Sequence, residues 1–146
     1  MSGIEWDECL SVGNSEIDAQ HKNWIDILNR THEQMLSEDA EIHLKRIGIA
    51  ALRDIRQYCA VHFEFEEKWM AEIGFGDIER HRSIHRAFQS RLVQLEDKVH
   101  RNPHTAATDI LRTIGEWLVN HIMNEDTQIG FAQLKNKSNP PLKIPF

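Results

Sequence analysis

The chain has 146 residues, of which 40% are hydrophobic and 27% are charged. This length and balance predict one globular domain that can bury its own core without disulfide bonds. The formal net charge of −6 argues against a nucleic-acid partner, which would require a basic face. No apolar run approaches the roughly 18–20 residues of a membrane span, and the first residues lack the features of a secretory signal. We therefore expect a cytoplasmic protein with no membrane partner.

Four segments with helical periodicity follow one another, separated by short breaks. Residues 1–14 form an N-terminal arm before them. The first helix is expected over about 15–35, with Ser15 as its N-cap and a carboxylate three residues later, as in a capping box. The second helix is expected over about 39–73. It ends at glycines, beginning with Gly74, that tolerate the backbone conformation of a helix end.

The third helix is expected to begin with Asp77 as its N-cap and to end at the break formed by Asn102 and Pro103. The fourth is expected over about 105–134, followed by a proline-containing C-terminal tail, 135–146. Short links between four helices favour antiparallel neighbours. The predicted fold is therefore all-α, an antiparallel up-down-up-down four-helix bundle with an N-terminal arm.

Two of the apolar stripes contain potential metal ligands at helical spacing. His62 and Glu66 are four residues apart on the second helix, and His81 and His85 are four apart on the third. Residues four apart lie on one face of a helix, one turn from each other. Because both pairs interrupt apolar stripes, we expect all four side chains to point into the core.

The first and fourth helices each contribute one more histidine to their apolar stripes. His21 lies near the start of the first helix, and His121 lies near the end of the fourth. In an antiparallel up-down bundle, these positions and the two pairs lie at the same end. The topology alone therefore predicts a cluster of five histidines and one carboxylate.

A second carboxylate follows His121, and two candidates compete for it. Asp126 is five residues on, which on an ideal helix is about 140° further round, at about 100° per residue. Asp126 could reach the cluster only if the helix contains an extra residue in this turn. We therefore predict a π-bulge between His121 and Asp126, a distortion frequent at functional sites. Glu125, four residues after His121, is the rival carboxylate on simple α-helical geometry.

The composition of this cluster predicts a site for two metal ions. A buried carboxylate without partners is costly, and cations would offset that cost. Imidazole and carboxylate ligands suit iron, and also zinc, manganese or copper. A single tetrahedral zinc ion needs only four ligands. Seven ligands on four helices are too many for one such ion and match two.

With these motifs the chain resembles the hemerythrin family, in particular its bacterial single-domain members. The matching pattern is a histidine, then HxxxE, HxxxH and HxxxxD. Here it reads His21, HFEFE at 62–66, HRSIH at 81–85 and HIMNED at 121–126, and the stretch SVGNSEIDAQHK at 11–22 is also similar. The resemblance covers nearly the whole chain.

The resemblance implies a cofactor of two iron ions, Fe²⁺ or Fe³⁺. It assigns Glu66 and Asp126 as carboxylates that bridge the irons together with an oxo or hydroxo group, and it favours Asp126 over Glu125. The implied ligand set is His21, His62, Glu66, His81, His85, His121 and Asp126.

The resemblance also implies how the histidines divide. One iron takes His81, His85 and His121, and the other takes His21 and His62. The iron with two histidines keeps an open position, where dioxygen binds reversibly.

Apolar side chains next to these ligands are expected to form a pocket for dioxygen. A dry pocket without a proton donor disfavours irreversible oxidation of the irons. The expected lining residues are Trp24, Phe63, Trp117, Leu118 and Ile122.

The leading hypothesis is a dioxygen-binding protein for oxygen storage, delivery or transport, and not an enzyme. Two alternatives stay open: an oxygen or redox sensor module that acts through a partner, and a di-iron peroxidase or nitric-oxide-handling protein. Five histidines against two carboxylates favour the carrier, because di-iron enzymes use more carboxylates to stabilise high-valent iron. We expect a monomer. Its candidate partner is an unidentified oxygen-consuming or signalling protein.

Overall fold

The computed structural model describes residues 3–37 and 40–138, and these residues contain helices and no strands. Each long helix packs on its neighbour in the chain, and α4 also packs on α1, which closes the bundle. The predicted four-helix bundle is confirmed. The elements are a short 3₁₀ turn at Glu8–Leu10, α1 Ser15–Met35, α2 Ala40–Glu72, α3 Ile78–Arg101, α4 Pro103–His121, a π segment Ile122–Asp126 and α5 Thr127–Ser138.

The start of α1 differs from the prediction by one residue in its cap. Asn14, not Ser15, is the N-cap, and its side-chain oxygen accepts from the backbone N–H groups of Glu16 and Ile17 at 3.1 and 3.2 Å. Asparagine and serine are about equally good N-caps, so propensity did not separate the two neighbouring positions.

The N-terminal arm is held on the bundle by two polar side chains of α1. The carboxylate of Asp18 accepts from Ser11 Oγ at 2.6 Å and from the backbone N–H of Val12 at 2.9 Å. The side chain of Asn29 both accepts from Ile4 N and donates to Ile4 O, each at 2.8 Å. Asp18 therefore fixes the arm and takes no part in the capping box expected at Ser15.

The link between α2 and α3 follows the prediction closely. The expected start of α2 at residue 39 lies outside the described residues, and the helix ends at Glu72. Gly74 has a φ of 70°, the left-handed conformation that glycine adopts without strain. Asp77 precedes α3 as its N-cap residue, but its side chain makes no capping hydrogen bond.

The last helical stretch is longer at both ends than predicted. α4 begins at Pro103, two residues before the expected start, because proline suits the first position of a helix. α5 continues to Ser138, four residues past the expected end at 134. Residues 135–138 are Lys-Asn-Lys-Ser, which contain no helix breaker, so this part of the expected tail is helical. Residues 139–146 lie outside the described part.

The core consists of the apolar stripes of the four helices, with charged side chains on the outside. No helix in the described ranges is long and apolar enough to cross a lipid bilayer. The core extends from the end that holds the histidines to the opposite end of the bundle. Its fully buried residues include Ile17, Leu52, Ile55, Leu92, Ile110 and Ile114.

Candidate metal centre

Five histidines and two carboxylates form one buried cluster at one end of the bundle. All seven residues that the sequence singled out lie in it, and none is more than 5% exposed. They come from α1, α2, α3, the end of α4 and the π segment that follows it. The members are His21, His62, Glu66, His81, His85, His121 and Asp126.

Glu66 lies in the middle of the cluster, and its two oxygens face different histidines. Oε1 is 2.8 Å from His81 Nε2 and 3.1 Å from His85 Nε2. Oε2 is 3.5 Å from His62 Nε2 and 3.9 Å from His21 Nε2. Glu66 thus faces histidines of α3 with one oxygen and histidines of α1 and α2 with the other.

The two oxygens of Asp126 also face different histidines. Oδ1 is 3.0 Å from His121 Nε2 and 3.1 Å from His81 Nε2, whereas Oδ2 is 3.2 Å from His21 Nε2. The cluster therefore separates into two overlapping groups. One contains three histidines, the other contains two, and both contain Glu66 and Asp126.

The backbone between His121 and Asp126 explains why the aspartate reaches the cluster. Residues Ile122–Asp126 form a π-helical turn, as predicted. A π turn pairs residues five apart, so His121 and Asp126 come to the same face of the helix. The side chain of Asp126 is fully buried, while Glu125 is 18% exposed and bonds to Arg80 outside the cluster. The geometry therefore selects Asp126 over Glu125.

The spacing of the donor atoms fits bound cations. Ligand atoms about 2.1 Å from one metal ion lie about 3 Å apart when they are adjacent in an octahedral shell. Several nitrogen–oxygen separations in the cluster are 2.8–3.2 Å. Moreover, Glu66 Oε2, both oxygens of Asp126 and Nε2 of His21 are buried without a hydrogen-bond partner. Such atoms are costly unless a cation binds them.

The electrostatics of the cluster also favour cations. Burial would raise the pKa of Asp126, but the positive charge of His121, 3.0 Å from the carboxylate, outweighs burial and holds that pKa well below its usual value. Burial would lower the pKa of His81 and His121, but their contacts with the two carboxylates raise these values to about 9 and about 10. The carboxylates therefore keep their negative charge and attract positive charge from protons or metal ions.

Three residues that sequence reasoning missed orient the histidines from outside. Gln20 Oε1 lies 2.6 Å from His62 Nδ1, and Glu67 Oε1 lies 3.2 Å from His85 Nδ1. The hydroxyl of Tyr58 donates to the backbone carbonyl of Gln20. When Nδ1 donates to these oxygens, each Nε2 keeps its lone pair for the cluster, an arrangement common around protein-bound metals. Gln20 and Glu67 immediately precede and follow cluster residues in the sequence, a signal that could have found them.

Comparison with known proteins identifies the family. Residues 12–130 match the model of the hemerythrin HHE cation binding domain. The chain belongs to the hemerythrin family. The bacteriohemerythrin of Stenotrophomonas maltophilia is 30% identical to it over 128 residues, which cover 86% of this chain and 78% of that protein. The hemerythrin-like protein of Naegleria gruberi is 27% identical over 125 residues, with 86% and 89% covered.

Solved hemerythrin structures have the same fold. The crystal structure of a hemerythrin leucine-to-alanine variant superposes with a TM-score of 0.77 and 25% identity, covering 91% of this chain and 98% of that one. Family and fold together support a di-iron, oxygen-binding kind of protein.

Two of the apolar residues expected to line a dioxygen pocket stack on histidines of the cluster. Phe63 stacks on the ring of His85, with centroids 3.8 Å apart and an angle of 7°, and Trp117 stacks on His121 at 4.3 Å and 12°. Trp24 is fully buried with its ring 6.0 Å from that of Trp117. Leu118 and Ile122 are also buried. Trp117 is half-buried.

The other histidines lie away from the cluster. His32 is half-buried near the opposite end of α1, and His43, His100 and His104 are exposed. None of these four belongs to a group that could hold a metal ion among the described residues.

Proposed function

We propose that this chain is a non-haem di-iron protein that binds dioxygen reversibly, for oxygen storage, delivery or transport. The observation that carries the proposal is the orientation of the two carboxylates. Glu66 and Asp126 each turn one oxygen to the three-histidine group and the other oxygen to the two-histidine group. Carboxylates oriented in this way suit two adjacent metal ions better than one.

Within this proposal the histidines divide unequally between the ions. His81, His85 and His121 would hold one ion, and His21 and His62 the other, with both carboxylates shared. The second group offers one donor fewer, so a free ligand position falls on its side. Two ferrous ions, when bound there, supply the electrons that reversible dioxygen binding requires.

The donor set favours a carrier over an enzyme. Five imidazoles, which bind metal in their neutral form, provide little negative charge to stabilise the high-valent iron that oxidation chemistry uses, whereas bound dioxygen needs no such stabilisation. The surroundings agree with this role, since Trp24, Phe63, Leu118 and Ile122 are buried apolar side chains, and apolar surroundings limit the access of water to a site.

The nearest phenol also agrees with a carrier. The hydroxyl of Tyr58 donates to the carbonyl of Gln20, and burial raises the pKa of this phenol to about 12. The proton of this phenol is therefore occupied by a backbone carbonyl and does not point to the cluster as a donor. Protons that reach bound dioxygen promote its loss as peroxide, so a pocket that withholds them favours reversible binding.

An optical experiment tests the proposal. The visible spectrum of iron-loaded protein is recorded in air, after removal of oxygen and after its return. We expect a charge-transfer band that disappears and returns over several cycles. His121→Ala should abolish the cycle, while His100→Ala should leave it intact because His100 is exposed on α3. Permanent conversion to a ferric form after the first exposure to air would contradict a carrier.

A further inference from the structure

A charged pair outside the cluster joins two helices that carry proposed ligands. Arg80 Nη1 donates to Glu125 Oε2 at 2.6 Å, and Arg80 Nη2 donates to Glu125 Oε1 at 2.9 Å. Such two-pronged contacts between guanidinium and carboxylate fix orientation as well as adding energy. Arg80 immediately precedes His81, and Glu125 immediately precedes Asp126. The pair therefore spans the gap between α3 and the π segment beside the cluster.

The π segment has a competing backbone register. If residues 122–126 formed an ordinary α-helical turn, the residue four positions after His121 would face the cluster, and that residue is Glu125. In the observed π turn the residue five positions on, Asp126, faces inward. The two registers thus present two different carboxylates to the same histidines.

Other contacts around the π turn act within its own helix. The hydroxyl of Thr127 donates to the carbonyl of Met123, and the side-chain amide of Gln128 donates to that of Asn124, each at 2.7 Å. These bonds occupy two carbonyls of the turn but do not decide which side chain faces the cluster. The Arg80–Glu125 contact differs from these bonds, because it holds the side chain of Glu125 outside the cluster.

We infer that Arg80 and Glu125 are a positioning pair that selects Asp126, and not Glu125, as the carboxylate of the cluster. Arg80 offers Glu125 two donors on the outer side of α3, and this contact is available only in the π register. Asp126 Oδ1 then remains 3.0 Å from His121 Nε2 and 3.1 Å from His81 Nε2. The inference deepens the proposed function and rests on it for the metal.

The test is a double-mutant cycle with Arg80→Gln, Glu125→Gln and the double variant. A matched control is Lys98→Gln, which removes an ion pair between α3 and α4, with Asp109, far from the π segment. The first readout is hydrogen exchange of amides 122–127 in the metal-free full chain. The second is the rate at which a chelator removes iron from the loaded protein.

We expect both single variants to exchange these amides faster and to lose iron about fivefold faster, the scale of a partly exposed charge-assisted pair. The double variant should be no worse than either single one, because the two residues act together. Lys98→Gln should change neither readout.

Wild-type exchange rates at 122–127 in both single variants would overturn the inference, as would an equal effect of Lys98→Gln. If the wild-type chain binds no iron, the proposed function fails, but hydrogen exchange in the metal-free chain still decides whether the pair holds the π register.

Discussion

Replacing Gly130 by alanine should partly displace the N-terminal arm from the bundle. Gly130 lies in α5 directly against the arm, and a Cβ atom there would be 2.0 Å from the carbonyl oxygen of Val12 and 2.9 Å from its carbonyl carbon. Both are backbone atoms that no side-chain rotation can move. The arm or the helix must therefore shift to accept a methyl group.

The cost of Gly130→Ala follows from three contributions. Overpacking costs about 1–3 kcal/mol. Lifting the arm uncovers Leu10 and Val12, which are 4% and 3% exposed, and full burial of such a side chain contributes about 1.5–3 kcal/mol. The higher helix propensity of alanine offsets about 1 kcal/mol of this loss of stability. With the arm partly displaced, we expect a net loss of about 2–4 kcal/mol in the free energy of unfolding.

Urea denaturation of the metal-free chain measures this loss. The matched control is Gly115→Ala in α4, where the new Cβ meets only the terminal methyl of Ile4, at 3.2 Å. A flexible side-chain end can move aside, so the control should stay within about 1 kcal/mol of wild type. Equal stability of the two variants would refute the close packing of Val12 on Gly130.

Three further predictions concern the cap of α1, the phenol and the bridging carboxylate. Asn14→Ala should lower the free energy of unfolding by about 1 kcal/mol and Ser15→Ala by much less, since the cap bonds belong to Asn14; equal losses in urea denaturation would contradict this assignment. The single tyrosine, Tyr58, should ionise at about pH 12 in an ultraviolet titration of the folded chain, because burial raises its pKa; a midpoint near that of free tyrosine, about 10, would show an exposed phenol. Asp126→Ala should reduce bound iron from two ions per chain to one or none in metal analysis, because each histidine group loses a donor; retention of two would remove Asp126 from the ligand set.

Helix periodicity explains why the cluster was predictable from the sequence. The four-residue spacing of His62 and Glu66, and of His81 and His85, fixes a common helix face whatever surrounds it. Antiparallel connections then bring the helix ends together. The π turn follows from the five-residue spacing only once Asp126 is chosen over Glu125, and that choice rested on the resemblance to the family. The ligand roles of these residues stay a prediction.

The contacts that the sequence did not predict depend on distances between elements. Asp18 could cap α1 or hold the arm, and only the position of the arm decides between them. The bonds of Gln20 to His62 and of Arg80 to Glu125 join residues more than 40 positions apart. Helix periodicity shows which face a residue occupies, but not which side chain it meets on another helix.

The central claim is a site for two iron ions, and an anaerobic titration with ferrous ion tests it most directly. Ferrous ion is added stepwise to the metal-free full chain, and bound iron is measured after removal of the excess. The two overlapping groups that share Glu66 and Asp126 predict saturation at two ions per chain. Saturation at a single ion, or no uptake of iron by a chain that binds one zinc ion, would contradict the claim.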